Sequence, residues 1–214
     1  MNKATVLQLD PQELSVRELY GWMVQLITPR PIAWVSTQSN HGVANLAPYS
    51  FFNGVGANPP LVMFCPANNR MGQAKDTLQN VKQNGQFVVN MVTEAMAEQM
   101  NQTAAEYGPD TDEFLAAGVT KGVSAKVQVP RVENCKAAME CRVHQILELG
   151  QGPGGANLVI GQIVWLHIAA DLFNEEEQFL AEEFDVIGRM GGNSYSRTGD
   201  RFALERPPRP QGTE

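Results

Sequence analysis

The chain has 214 residues, a length that suits one large domain or one domain with a small appended subdomain. Its formal net charge of −7 and its lack of a basic run argue against nucleic acid or an anionic membrane as the main partner. The three cysteines (Cys65, Cys135 and Cys141) are irregularly spaced, which indicates reduced thiols rather than a disulfide framework or a zinc site.

The sequence predicts neither a signal peptide nor a membrane-spanning helix. The N-terminal residues MNKATVLQLDPQ lack the apolar core of a signal peptide. No apolar stretch approaches the roughly 20 residues that a membrane-spanning helix needs. We therefore expect a soluble, cytoplasmic protein.

The first half of the chain mixes helix and strand signals. Ser15 and Glu18 fit a capping box that begins a short helix, with Leu19, Trp22, Met23 and Leu26 on one face. The segment QAKDTLQNVKQNG predicts a second helix, with Leu78 and Val81 facing inward and Gly85 at its end. Residues 93–105 predict a third helix, and Asp110 with Glu113 predicts a further capping box. Strands are predicted over residues 31–37, 43–52, 61–65 and 86–92.

Strand signals dominate the second half. Residues 123–129, 135–150 and 157–168 predict strands, and the turn QGPGGA joins the last two. An acidic helix is predicted over residues 174–184, and a proline-rich tail follows residue 206. The helices are short and peripheral, so the pattern favours a mainly β protein, a β-barrel with peripheral helices, since closure removes exposed edges. Without repeats or long linkers, we expect a single domain over residues 1–214, with a core from about residue 24 to residue 206.

Hydrolytic motifs are missing. The sequence contains no G-x-S-x-G, H-E-x-x-H or C-x-x-C pattern. His144 and His167 lie in predicted strands, where a lone histidine is more often structural, and Met96 and Met100 fit a core better than a cofactor contact. The acidic residues between 175 and 185 are most simply a solvated helix face.

One polar group of residues is suited to an anion. Asn69 and Arg70 follow a predicted buried strand, and Lys75, Asp76 and Thr77 begin the next helix. A helix N-terminus offers unpaired N–H groups and a positive dipole end, which favour a phosphate. The same residues also fit an ordinary helix start with surface charges.

Several motifs in order carry a family resemblance. TPRPIAWVST, NLAPYSFFN, NPPLV, KDT with Asn80, and RMGGNSYSRTGDRF together resemble the flavin reductase-like FMN-binding family, which includes flavoredoxin-like proteins. The resemblance covers roughly residues 29–206. It implies an FMN-binding split barrel and a homodimer with FMN near the subunit interface.

The resemblance also implies the residues of a cofactor site. Proline and small residues between Ala47 and Asn53 would leave backbone groups free to reach the flavin ring, where a continuous ladder would already have used them. Lys75 and Thr77 would hold the phosphate. The full set of implied FMN-binding residues is Arg30, Pro31, Ala47, Pro48, Tyr49, Ser50, Asn53, Asn69, Arg70, Lys75, Asp76, Thr77 and Arg189.

Three functions are compatible with this resemblance. The first is an NAD(P)H-dependent flavin oxidoreductase, in which the flavin carries the chemistry and no side chain needs to be catalytic. The second is a flavoredoxin-like electron carrier with a protein redox partner. The third is a flavin-binding module without turnover. NADH and NADPH cannot be distinguished, because the sequence has no Rossmann-type selector to inspect.

Overall fold

The computed structural model describes residues 6–209. The protein is mainly β, as the pattern predicted, with short helices around a large antiparallel sheet. No helix in these residues is long and apolar enough to cross a bilayer. The helices are α1 (Val16–Leu26), α2 (Asp76–Asn84), α3 (Ala97–Gln102) and α4 (Glu113–Ala116).

Twelve strands are found in the described part of the chain, seven of them in the large sheet, whose order is β3-β2-β6-β9-β10-β5-β4. The remaining strands form a three-stranded sheet, β1-β11-β12, and the pair β7-β8. The strands are β1 (Arg30–Pro31), β2 (Ala33–Gln38), β3 (Ala44–Tyr49), β4 (Phe52–Ala57), β5 (Pro60–Phe64), β6 (Gln86–Met91), β7 (Lys121–Gly122), β8 (Arg131–Val132), β9 (Ala137–Glu148), β10 (Asn157–Ile168), β11 (Ile187–Arg189) and β12 (Tyr195–Arg197).

Strand β2 is buried on both faces and separates two apolar cores. Trp34 packs into a core that includes Phe114 of α4. Its neighbour Val35 faces the other way, into a core with Phe64 and Phe87. Successive residues of a strand point to opposite faces, so β2 contributes side chains to both cores. A shift of one residue would move each side chain to the wrong core, and the register between β2 and β3 is therefore fixed.

The structure does not show the barrel closure that the strand pattern predicted. β3 and β4 follow one another through a bend at Ser50 and Phe51, yet they lie at opposite edges of the ladder, so the sheet is not closed into a barrel. Part of the free edge of β3 is met by a side chain, since the Leu46 amide donates to the Glu113 carboxylate. A strand pattern cannot reveal such a contact in advance.

Two predicted helix starts have different outcomes. The capping box of Ser15 and Glu18 is confirmed at the N-terminus of α1. The box predicted for Asp110 and Glu113 is wrong, because Asp112 caps α4 by accepting from the Leu115 amide. Glu113 instead turns toward β3, where Asn45 and Leu46 donate to it.

Two further segments also differ from the prediction. Residues 123–129 do not form a strand, because the Glu140 carboxylate accepts the backbone N–H groups of Ala125, Lys126 and Val127. Residues 174–184 form turns and a short 3-10 helix, Ala181–Glu183, rather than an α-helix. The Asn174 side chain accepts from two amides within that segment and so favours the turn. The helix predicted over residues 93–105 is found over residues 94–102, as a 3-10 turn (Glu94–Met96) followed by α3.

Candidate functional site

Arg30 is the most deeply buried of the implied site residues with a full charge, at 3% exposure. Its Nη1 donates to the carbonyl oxygens of Val24 and Ile27, both at 2.6 Å. Its Nη2 donates to Met190 O at 3.0 Å, and its Nε donates to Ser50 Oγ at 3.3 Å. Arg30 therefore ties the end of α1, the segment after β11 and the bend after β3 to one point.

The second arginine, Arg189, lies directly opposite Arg30 in the β1–β11 pairing. Its guanidinium donates to Gly192 O at 2.6 Å and lies 4.5 Å from the centre of the Tyr195 ring. The structure thus places Arg189 beside Arg30. The Arg189 guanidinium makes its hydrogen bond and its aromatic contact within its own loop. Pro31 is exposed and pairs with Gly188.

The segment from Ala47 to Asn53 changes direction at the bend. Ala47 and Pro48 are half-buried, and Tyr49 packs inward against Phe64. Asn53 is exposed on β4, where its Oδ1 accepts from the Gly54 amide. The bend itself therefore separates a buried half of the motif from an open half.

Helix α2 begins with backbone donors that no side chain among residues 6–209 caps. Lys75 is the N-cap residue and makes no capping hydrogen bond through its side chain, which is exposed. Gly85 ends the helix in a left-handed conformation, as the sequence predicted. An uncapped first turn with an exposed lysine beside it suits an anion.

Thr77, which the resemblance implied as a phosphate contact, lies in the first turn of α2 with its side chain buried. It is 1% exposed, and its hydroxyl donates to Asn45 Oδ1 at 2.6 Å. The hydroxyl therefore belongs to an internal network, and only the backbone of the first turn of α2 stays available at this position.

Asn69 and Arg70 lie in the loop before α2. Asn69 Oδ1 accepts from the amides of Met71 and Gln73, which fixes the turn. Arg70 extends into solvent, with 90% of its side chain exposed and a contact of 3.6 Å to Glu106. A screened surface pair of this kind contributes little to stability, so Arg70 is free to engage another anion.

Hydrogen bonds from Asn157, at the start of β10, hold this loop in place. Asn157 is buried and donates from Nδ2 to Pro66 O and to Asn68 Oδ1, both at 2.9 Å. A Cβ on Gly72 would lie 3.0 Å from the Gly152 backbone, and the φ of Gly72 is +78°, so only glycine fits there. The β9–β10 turn thereby positions the loop that carries Arg70.

A buried polar network links β2, β3, α2 and α4. The Asn45 side chain is its centre, since Oδ1 accepts from the hydroxyls of Thr37 and Thr77, and Nδ2 donates to Glu113. Asn80 donates to Thr37 Oγ1 at 3.0 Å. Neither Asn45 nor Glu113 was among the predicted site residues, and the one signal for either was the position of Asn45 at the start of the NLAPYSFFN motif.

Burial controls the ionisation of this region. It raises the pKa of Glu113 and of Asp76 above their ordinary values. It also raises the pKa of Tyr49, with the nearby Thr77 hydroxyl acting in the opposite direction and the carboxyl groups of Glu113 and Asp76 adding to the increase. The Tyr49 hydroxyl has no hydrogen-bond partner among the described residues. The polar groups of this network are therefore held by hydrogen bonds rather than by pairing of opposite charges.

Comparison with known proteins identifies the family. The family model described as "Flavin reductase like domain" matches residues 25–187. The chain belongs to the flavin reductase-like family. This confirms the resemblance drawn from the motifs, and membership supports a flavin cofactor and an oxidoreductase.

Relatives of this family member cover nearly its whole length. An uncharacterized protein of Halalkalibacterium halodurans is 36% identical over 97% of this chain and 100% of its own. The solved structure of nitrilotriacetate monooxygenase component B from Bacillus cereus is similar, with a TM-score of 0.88 and 33% identity over 94% of this chain and 100% of its own. The 2-nitrobenzoate 2-nitroreductase NbaA of Pseudomonas fluorescens has a TM-score of 0.84 and 33% identity over 94% of this chain and 96% of its own.

Proposed function

We propose that this flavin reductase-like protein binds FMN and transfers electrons from NADH or NADPH to it. The observation that carries the proposal is the uncapped N-terminus of α2, with Lys75 exposed at the N-cap position and Arg70 exposed in the preceding loop. A phosphate would accept hydrogen bonds from the first-turn amides and would pair with both cations, whereas a neutral ligand would pair with neither cation.

The residues present fit an FMN phosphate. The first turn of α2 offers backbone donors, Lys75 offers one compact charge, and Arg70 offers a two-pronged guanidinium. Asp76 is the acidic group in the first turn of α2, and burial raises its pKa above the ordinary value.

The bend after β3 would hold the ring. Ser50 and Phe51 form this bend between β3 and β4, outside any strand, and Arg30 fixes the bend through Ser50. Asn53 adds an amide on the open side. Bound FMN would supply the redox chemistry by accepting a hydride from the nicotinamide. The chain's contribution is orientation, so no catalytic side chain is proposed.

A homodimer is part of this proposal. The apolar face of α1 is open to solvent, with five large residues between 39% and 77% exposed: Tyr20, Trp22, Met23, Leu26 and Ile27. Tyr20 also contacts Phe51 edge to face at 6.2 Å, which places this face beside the proposed ring segment. A second copy covering α1 would exclude water from both, and an obligate interface of this kind buries more than about 2,000 Å².

A protein acceptor is the second candidate for the electrons. One similar structure is by name a component of a monooxygenase, so a partner protein is a reasonable acceptor for this chain as well. A flavoredoxin-like carrier and a flavin-binding module without turnover also remain candidates. We propose a single domain and a cytoplasmic location, as the sequence suggested.

The deciding experiment is a flavin titration followed by reduction. Adding FMN to purified apoprotein should quench flavin fluorescence at micromolar concentrations, and NADH or NADPH should then bleach the flavin absorbance. Bound FMN that only a protein donor reduces would favour the carrier, and bound FMN that no donor reduces would favour the module. No FMN binding at all would overturn the proposal.

A further inference from the structure

We propose that Glu113 is a positioning residue for the cofactor site, one that fixes the edge of β3 and the first turn of α2 relative to each other. The inference rests on the proposed function, because these two segments are the ones proposed to hold the flavin ring and the phosphate. Glu113 lies in α4, outside every motif that carries the family resemblance.

The first contact of Glu113 is with the backbone of β3. Its Oε2 accepts from the Leu46 amide at 3.1 Å, on the edge of β3 that none of the twelve described strands covers. Leu46 directly precedes Ala47, where the proposed ring segment begins. The carboxylate therefore fixes the position of the β3 backbone just before the bend.

The second contact reaches α2 through Asn45. Glu113 Oε1 accepts from Asn45 Nδ2 at 2.9 Å. A carboxylate can only accept, so it orients the amide with Nδ2 toward itself and leaves Oδ1 for the Thr77 hydroxyl. The orientation of one amide thereby transmits the position of Glu113 to the first turn of α2.

Glu113 itself is held rigidly. It is 5% exposed, and the adjacent Phe114 is fully buried in the core beside Trp34. Asp112 caps α4 and forms an ion pair with Lys121. In the described chain no cation pairs with Glu113, and the titratable groups that face it are Asp76 and Tyr49. Its role thus depends on hydrogen-bond direction rather than on charge neutralisation.

Glu113→Gln tests this role, because glutamine keeps the shape and places a donor where an acceptor is needed. Glu140→Gln is the control, since Glu140 of β9 is a buried carboxylate that accepts backbone amides at residues 125–127 and contacts His167 Nε2 at 2.6 Å, and none of these groups belongs to the proposed site. We expect both variants to lose stability, and only Glu113→Gln to weaken FMN and riboflavin binding by about tenfold.

Amide hydrogen exchange of the apoprotein supplies a readout that needs no flavin. Glu113→Gln should accelerate exchange at Leu46 and in the first turn of α2, and Glu140→Gln should accelerate it at residues 125–127 only. If Glu113→Gln does not fold, Thr77→Val, which breaks the link to Asn45, should produce the α2 effect, and Thr77→Ser should restore it.

The outcomes separate this inference from the proposed function. If the wild-type protein does not bind FMN, the proposed function and this inference fall together. If the wild-type protein binds FMN and Glu113→Gln binds it equally well, or if both glutamine variants weaken it to the same extent, Glu113 is only structural and this inference alone is overturned.

Discussion

Arg30 and Met190 lie 160 residues apart in sequence, and a hydrogen bond of 3.0 Å from Arg30 Nη2 to Met190 O joins them. The same guanidinium also donates to two carbonyl oxygens at the end of α1. One buried side chain therefore connects the N-terminal helix to the RMGG segment near the other end of the chain. Arg30, which the resemblance implied as an FMN-binding residue, therefore has a structural role in this fold.

Arg30→Ala should destabilise the protein by about 3 kcal/mol or more, because it leaves three buried or half-buried carbonyl oxygens without a donor. Arg30→Lys should recover only part of this loss, since an ammonium lacks the fork that reaches carbonyls on two sides. Urea unfolding of the three proteins gives the comparison. A lysine variant as stable as the wild type would contradict the prediction.

Lys75→Ala and Arg70→Ala should each weaken FMN binding roughly ten- to a hundredfold, because each removes a charge-assisted contact worth about 1.5–3 kcal/mol. Riboflavin has no phosphate, so its affinity should hardly change. Lys82→Ala is the matched control, since Lys82 lies in the last turn of the same helix and pairs with Glu148 at 2.9 Å. Fluorescence titrations with both flavins provide the affinities. Equal losses for FMN and riboflavin would point to a ring contact or a damaged fold instead.

Local patterns predicted much of the fold. The periodicity of residues 73–85 placed Leu78 and Val81 inside, and both are buried in α2. The apolar run 157–168 coincides with β10. These elements were predictable because the apolar spacing of each agrees with its own secondary structure.

The remainder depended on contacts between distant residues. Residues 123–129 have a strand composition, but Glu140 takes their amides. Glu113 had the spacing of a capping residue, yet its partner Asn45 lies 68 residues away. Thr77 was implied as a phosphate contact, and tertiary packing turned its hydroxyl inward. Such choices depend on which polar groups become buried together, and a single sequence does not record this.

Trp22→Glu combined with Leu26→Glu should convert the proposed dimer to a monomer, because the two charges would lie in the apolar face of α1. Folding should be nearly unaffected, since both side chains are exposed in the single chain. Sedimentation with FMN present gives the mass, and circular dichroism checks the fold. A wild-type protein that already sediments as a single chain would remove the basis of this prediction.

The stability of the protein should depend on pH through Glu113. Burial raises the pKa of this carboxyl in the folded protein, so the folded state binds its proton more readily than the unfolded state does. The contribution of Glu113 to stability is therefore largest at low pH. It falls as pH rises from the ordinary glutamate pKa of about 4.3 to the higher pKa of the folded protein.

Glu113→Gln removes this titration, so the free energy of unfolding of the wild type minus that of the variant should decrease as pH rises through that window and stay flat above it. Burial also raises the pKa of Asp76, and the slope that this burial contributes is common to both proteins and cancels in the difference, whereas the interaction of Asp76 with the Glu113 charge is part of the Glu113 titration that the variant removes. Urea unfolding at a series of pH values measures the two curves. A difference that increases with pH would mean that the amides of Asn45 and Leu46 stabilise the carboxylate by more than burial costs it, and that the pKa of Glu113 is lowered in the folded protein.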